Sequence, residues 1–185
     1  MSIKNKSLKF YGGKRMFNRS IILTTFVAVF MFAGVQSIYS QTEYPPELEK
    51  KLDQVINLVR SEIKKERIAF LGAHMNFISD QSTVFWPIYQ QYEAEYDKLG
   101  DQRIELIKEY DKHFLSMDNA KATELANTAI ELKEKRLALL KKYHGKISEA
   151  LNPIIAARFL QVENYVQSAI DIQLAAGLPL IQETK

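Results

Sequence analysis

From Pro46 onward, apolar residues recur at intervals of three and four, the period of one helix face, almost without interruption. Leu52, Val55, Ile56, Val59, Ile63, Ile68 and Leu71 mark a first helix from about Glu47 to about His74, whose middle, "RSEIKKER", is polar enough to be solvated. Phe85, Ile88, Tyr92, Tyr96, Leu99, Leu106, Tyr110 and Phe114 make a long stripe on a second, from Ser79 to about Phe114. A third opens after Asp118, a residue suited to capping, and runs to about Ala150 through Leu125, Leu132, Leu139, Tyr143 and Ile147. A fourth opens at Asn152, with Pro153 at a first position where its missing N–H costs nothing, and carries Phe159, Val162, Val166, Ile170 and Leu174 towards Gly177. No apolar-polar alternation bounded by turn residues occurs, so strands are not expected.

The fold class expected is all-α: four helices with a long antiparallel central hairpin, because a connection as short as "LSMDN" leaves helices two and three side by side. A hairpin of 30 or more residues per arm is about 45 to 50 Å long at ~1.5 Å per residue. One chain of this size would leave part of such an apolar stripe in water, which implies an elongated or cradle-shaped homodimer.

Two stretches stand where one helix ends and the next begins: "ISDQSTVFW", Ile78 to Trp86, and "LNPIIAARF", Leu151 to Phe159. Each opens on an aliphatic plug (Ile78, Leu151), continues with a polar cap (Ser79, Asn152) and a first-turn former (Asp80, Pro153), and ends on an aromatic.

The first forty residues differ from the rest. Lys4, Lys6, Lys9, Lys14, Arg15 and Arg19 stand there with no acid, followed by the apolar run "IILTTFVAVFMFAGV". This is the pattern of a secretory signal peptide, with cleavage expected near Ser40 and Gln41. As a helix the run would reach only about 22 Å, short of the ~30 Å hydrocarbon core. Residues 41–185 are then one helical domain outside the cytoplasm, periplasmic, touching the membrane only through the export signal. Of 25 basic and 22 acidic residues, six bases and no acids fall in the leader, so the remaining chain is near −3 and gives no reason to expect nucleic acid. With no cysteine, the domain has neither disulfides nor a thiolate metal centre, and apolar packing must stabilise it.

Catalysis has little foothold. No Gly-x-Ser-x-Gly elbow and no glycine-rich phosphate loop occur, and the carboxylates stand beside lysines as on solvated helix faces, so neither an enzyme nor a cofactor is expected. Of the three histidines, no two share the spacing of ligands on one helix face; His74 with Met75 and His113 with Met117 would form a soft metal site only if helix ends converged. In the series Phe85, Trp86, Tyr89, Tyr92 and Tyr96, core packing accounts for Phe85, Tyr92 and Tyr96. Trp86 and Tyr89 share less of that face and are expected to be exposed, an adaptable surface for unfolded chain.

The two helix-start stretches carry a resemblance to the Spy/CpxP family of periplasmic helical proteins, which has two copies of a Leu-Thr-x-x-Gln motif. The copies here are Ile78-Ser79-Asp80-Gln81-Ser82 and Leu151-Asn152-Pro153-Ile154-Ile155, each with a similar cap in place of Thr and neither with Gln at the fifth place. The resemblance spans residues 47 to 175. It implies an ATP-independent chaperone or stress-signalling modulator, working as a cradle-shaped antiparallel dimer that holds unfolded proteins on its concave face. It equally admits a metal-responsive envelope sensor or buffer of the same fold, or a structural adaptor binding an envelope partner. Those relatives tend to a basic concave surface, whereas this chain without its leader is slightly acidic.

Overall fold

The computed structural model describes residues 46–78 and 80–181. The expected leader and Ser79 lie outside the described residues. Among these the chain is four helices and one 3-10 turn: α1 Pro46–His74, α2 Gln81–His113, the 3-10 turn Phe114–Ser116, α3 Asn119–Ala150 and α4 Pro153–Gly177. No helix among the described residues is long and apolar enough to cross a membrane.

Local chemistry explains most of the boundaries. Asp118 caps α3, its Oδ1 accepting from the Lys121 N–H at 2.7 Å, and Asn152 caps α4, its Oδ1 accepting from the Ile155 N–H at 2.9 Å. Pro153 stands at the start of α4 as the sequence requires. Past the end of α1, Asn76 takes a φ of +48°, the left-handed conformation that closes many helices and that asparagine tolerates.

The start of α2 departs from expectation. The helix begins at Gln81, not Ser79, and Asp80 occupies the cap position with no side-chain cap hydrogen bond. Gln81 reaches back instead, its Oε1 accepting from the Ile78 N–H at 3.1 Å, while the Thr83 hydroxyl donates to the Asp80 carbonyl. Ile78 is 70% exposed and plugs nothing; Phe77 fills that role, its ring 4.8 Å from that of Phe85. Leu151, by contrast, packs on the core as expected. The two helix starts are therefore alike in sequence but not in mechanism.

The helices run up, down, up, down. Lys142 and Tyr143 meet Glu95 while Lys146 meets Gln91, which fixes α2 and α3 as an antiparallel hairpin. Arg136 meets Asp171 on the returning α4. Against α2, α1 runs antiparallel with Asp53 on Lys108 and Arg67 on Tyr92. Both connections at one end, residues 75–80 and 151–152, come together there: the Arg158 guanidinium donates to the Met75 carbonyl at 2.6 Å, and Phe85 meets Phe159 edge to face at 6.1 Å.

At that end lies the core. Leu71, Met75, Phe85, Tyr89, Tyr92, Leu139, Leu140, Tyr143, Ile147, Ile155, Ala156, Phe159 and Val162 form one cluster. In α2 every buried residue falls between Phe85 and Glu93, leaving none in the twenty residues that follow. The large apolar cluster thus organises one half of the bundle; in the other half only Met117 and Leu125 are buried apolar side chains among the described residues, and ion pairs span the helices.

Two caps at opposite ends of α3 give a direct test. Asn152→Ala and Asp118→Ala should each cost about 0.5 to 2 kcal/mol in urea unfolding. Being some 50 Å apart along a 32-residue helix, they should add to within about 0.5 kcal/mol. Asp80→Ala, whose side chain caps nothing, should stay within about 0.5 kcal/mol of the parent.

Candidate functional site

The polar centre of the cored half is built around Arg67. It sits on the apolar stripe of α1, four residues after Ile63 and four before Leu71, and so points inward although its sequence neighbours are charged. Glu163 holds the matching place on α4, between Phe159, Val162 and Val166. The two form an ion pair with both side chains 4% exposed. The guanidinium also donates to the Tyr92 hydroxyl at 3.2 Å and lies 3.9 Å from the ring centroid of Tyr96. Tyr92 donates to Glu163 at 3.0 Å, and Tyr96 donates to Gln167. Burial opposes the charge on Arg67, but its partners together, the Glu163 carboxylate foremost, outweigh it, so the guanidinium is held protonated above its ordinary range.

Beside this network, Lys64 bridges Glu93 at 3.1 Å and Asp97 at 3.0 Å, and the hydrogen bond to Asp97 holds its ammonium above the usual lysine range. The second carboxylate oxygen of Glu93 is buried without a hydrogen-bond partner, as is the Tyr89 hydroxyl. On the far side, Tyr92, Glu163 and Gln167 line a recess of ≈ 60 Å³ with Arg136, Leu137, Leu140 and Asn164. Its rim is tied by Asp171, which accepts from Arg103 at 2.7 Å and Arg136 at 3.2 Å. A space of this size between neutralised charges suits ordered water rather than a substrate.

The aromatic surface expected from the sequence is not where it was placed. Tyr89 is 1% exposed, stacked on Phe85 and against Phe159, and belongs to the core. The reason is its spacing: four after Phe85 and three before Tyr92, it shares their face. Trp86 is half-buried, edge-on to Phe77, Phe85 and Tyr89 and 3.9 Å from where a Cβ on Gly72 would stand, so it seals the α1–α2 seam. Of the helix-start residues, Ile78, Asp80 and Pro153 face solvent, Leu151 and Asn152 are half-buried, and none lines the recess beside Tyr92.

His74 and His113 sit at opposite ends of the bundle. His74 closes α1 beside the cored end, its ring stacked at 3.9 Å on Phe70, and His113 closes α2 at the other, Nδ1 facing the Glu109 carbonyl. They do not converge. No group of three or more His, Asp or Glu side chains suited to a metal occurs among the described residues.

What remains open is the far half of the hairpin. Ile104, Leu106, Ile107 and Tyr110 of α2 and Phe114 of the 3-10 turn are all only half-buried. Leu115, Ile130, Leu137 and Ile172 are more than half exposed. α1 crosses this half on charge: Asp53 to Lys108 at 2.8 Å, Arg60 to Asp101, and Arg60 to the Asp97 carbonyl at 3.1 Å. Neither Arg67 nor Glu163 was legible as a buried pair, although each interrupts an apolar stripe at a core position, which is the signal to look for.

With this geometry in hand, comparison with known proteins adds nothing further: no family model, no curated protein and no solved structure matches the chain.

Removing one partner of the buried pair strands the other charge, so Arg67→Met should cost about 3 to 5 kcal/mol, and Arg67→Met with Glu163→Leu should recover most of it. Tyr89→Phe, which deletes an unpartnered hydroxyl, should be neutral or mildly stabilising, whereas Tyr92→Phe should lose about 1 to 3 kcal/mol. Burial raises the phenols of Tyr89, Tyr92 and Tyr96, and burial with a hydrogen bond to Glu95 raises Tyr143 to about 12. These folded-state values lie above the unfolded value of ~10, so the contribution is complete below about pH 10 and is lost as pH climbs through 12. Tyrosinate absorbance and loss of helical circular dichroism should therefore rise together above pH 10. Ionisation of Tyr89, Tyr92, Tyr96 and Tyr143 near pH 10 in a fully helical protein, followed through single Tyr→Phe difference spectra, would refute the buried cluster.

Proposed function

We propose that this protein is an exported, ATP-independent chaperone of the Spy/CpxP type, working as a homodimer that holds unfolded proteins on an apolar surface. One observation carries the proposal: a long helical hairpin whose apolar stripe is covered at one end and left half-open at the other. A chain built only for stability would bury Leu106, Ile107, Tyr110 and Phe114, at ~25 cal/mol per Å² removed from water. Leaving them shallow keeps apolar area available to a partner at little cost in reorganisation. The helix-start motifs and the acid-free leader support the same assignment. The client surface belongs to the far half of the hairpin and not to Trp86 and Tyr89, whose rings are committed to packing.

The purified protein without its leader should suppress aggregation of a thermally unfolding client at near-stoichiometric ratio, and should sediment as a dimer at micromolar concentration. Ile104→Ser with Ile107→Ser should weaken holding several-fold while circular dichroism stays that of the parent. Absence of suppression together with a tight complex in a metal titration would make the protein the sensor instead. The N-terminal residue of protein recovered from cells should be near Gln41.

A further inference from the structure

No described residue of α1 before Arg67 is buried. Its first half lies along α2 through a ladder of opposite charges: Asp53 on Lys108, Arg60 on Asp101 and Lys64 on Asp97 and Glu93. Between the rungs stand aliphatics. Ile56 and Ile63 of α1 fall one turn from charged neighbours on the same face, and Ile104 of α2 falls one turn from both Asp101 and Lys108. These side chains are half-buried, so the contact is apolar in its middle and ionic at its edges.

The edge of α2 below α1 is strongly one-signed. Glu93, Asp97 and Asp101 follow one another at intervals of four, against the single cation Lys108 further on. Glu93 adds a buried carboxylate oxygen with no hydrogen-bond partner. Residues 60–67 of α1, "RSEIKKER", supply the matching cations. Rungs such as Asp53–Lys108 and Lys64–Asp97 have side chains between about a quarter and a half exposed, so salt reaches them. The reach of a charge falls from ~10 Å at 0.1 M salt to ~3 Å at 1 M.

We propose that the edge of α2 carrying Glu93, Asp97, Asp101 and Ile104 is a docking surface for cationic, apolar segments of unfolded chains, with residues 46–64 of α1 as its resident, salt-releasable occupant. The proposal rests on the chaperone assignment and names its client chemistry: segments resembling α1 itself, basic with aliphatics at helical spacing. It also explains how an acidic domain attracts unfolded proteins. The half of α1 that is charge-held swings away, while Arg67, Leu71 and Met75 keep its other end in the core.

Hydrogen exchange of the whole protein tests the strap. Between 0.05 and 0.5 M NaCl, amides of residues 46–64 should exchange about tenfold faster, equivalent to ~1.4 kcal/mol, while residues 85–93 and 139–162 remain protected. The docking surface is tested with two labelled peptides of identical aliphatic residues, one bearing Lys and Arg, the other Glu. The basic peptide should bind and the acidic one should not, and Asp97→Asn with Asp101→Asn should weaken binding several-fold. The chain has no native cysteine, so Asp53→Cys with Lys108→Cys can be joined by a short reducible thiol linker. Linked protein should lose peptide binding and regain it on reduction. Salt-independent exchange in 46–64, equal binding of the acidic peptide, or undiminished binding to the linked protein would each overturn the proposal. Basic-peptide binding without suppression of client aggregation would keep the docking surface and remove the chaperone assignment; suppression that survives the linker would do the reverse.

Discussion

The bundle depends on the meeting of Arg67 and Glu163. Apolar stripes on long helices are forgiving, since a slip of one turn still places an aliphatic against an aliphatic. A guanidinium and a carboxylate, both nearly inaccessible, are not forgiving. Each costs several kcal/mol to take out of water, and only one register of α1 against α4 returns that cost through the pair, the Tyr92 hydroxyl and the Tyr96 ring. The network therefore selects the arrangement more than it adds to stability. Two phenol hydroxyls and a glutamine complete its hydrogen bonding, which keeps a polar centre inside a core otherwise made of aromatic and branched side chains.

Two kinds of cohesion follow along one molecule. Near the connections at 75–80 and 151–152, aromatic rings from α2 and α4 interlock with Leu71 and Met75, and burial does the stabilising. Towards the 3-10 turn, Met117 and Leu125 are buried outside that cluster, and ion pairs span the helices: Asp53 with Lys108, Arg103 and Arg136 with Asp171. Burial is little affected by ionic strength, whereas exposed pairs are screened by it. The two halves should thus answer differently to the medium, and the half that answers more is the one with apolar side chains left shallow.

Most of the architecture was legible from spacing. The ends of α1, α3 and α4 follow from Asp118, Asn152 and Pro153 and from a period that stops at His74 and Gly177. The start of α2 was misplaced because a serine before an acid reads as a cap, while here Gln81 bonds backward to Ile78 and no side chain takes the cap position. Tyr89 was misjudged by attending to its nearness to Trp86 rather than its distance from Phe85 and Tyr92. Arg67 and Glu163 were hidden because a charge inside a charged stretch gives no local sign of which way it points; only its phase against Ile63 and Leu71 does. That part of the stripe would stay open follows from its length, but which half was not legible, since it depends on how closely α1 approaches α2, a tertiary distance that no period encodes.

Both cored connections are at one end, and only the short turn over residues 114–118 closes the other. Evolution could therefore lengthen or shorten this protein without disturbing what folds it. Inserting matched heptads into α2 and α3 on either side of that turn would extend the hairpin while leaving Phe85, Tyr143 and Phe159 in register. The same turn is the place where a reporter or a second domain could be spliced in. Size, on this plan, is an adjustable property of the tip, and identity is kept at the base.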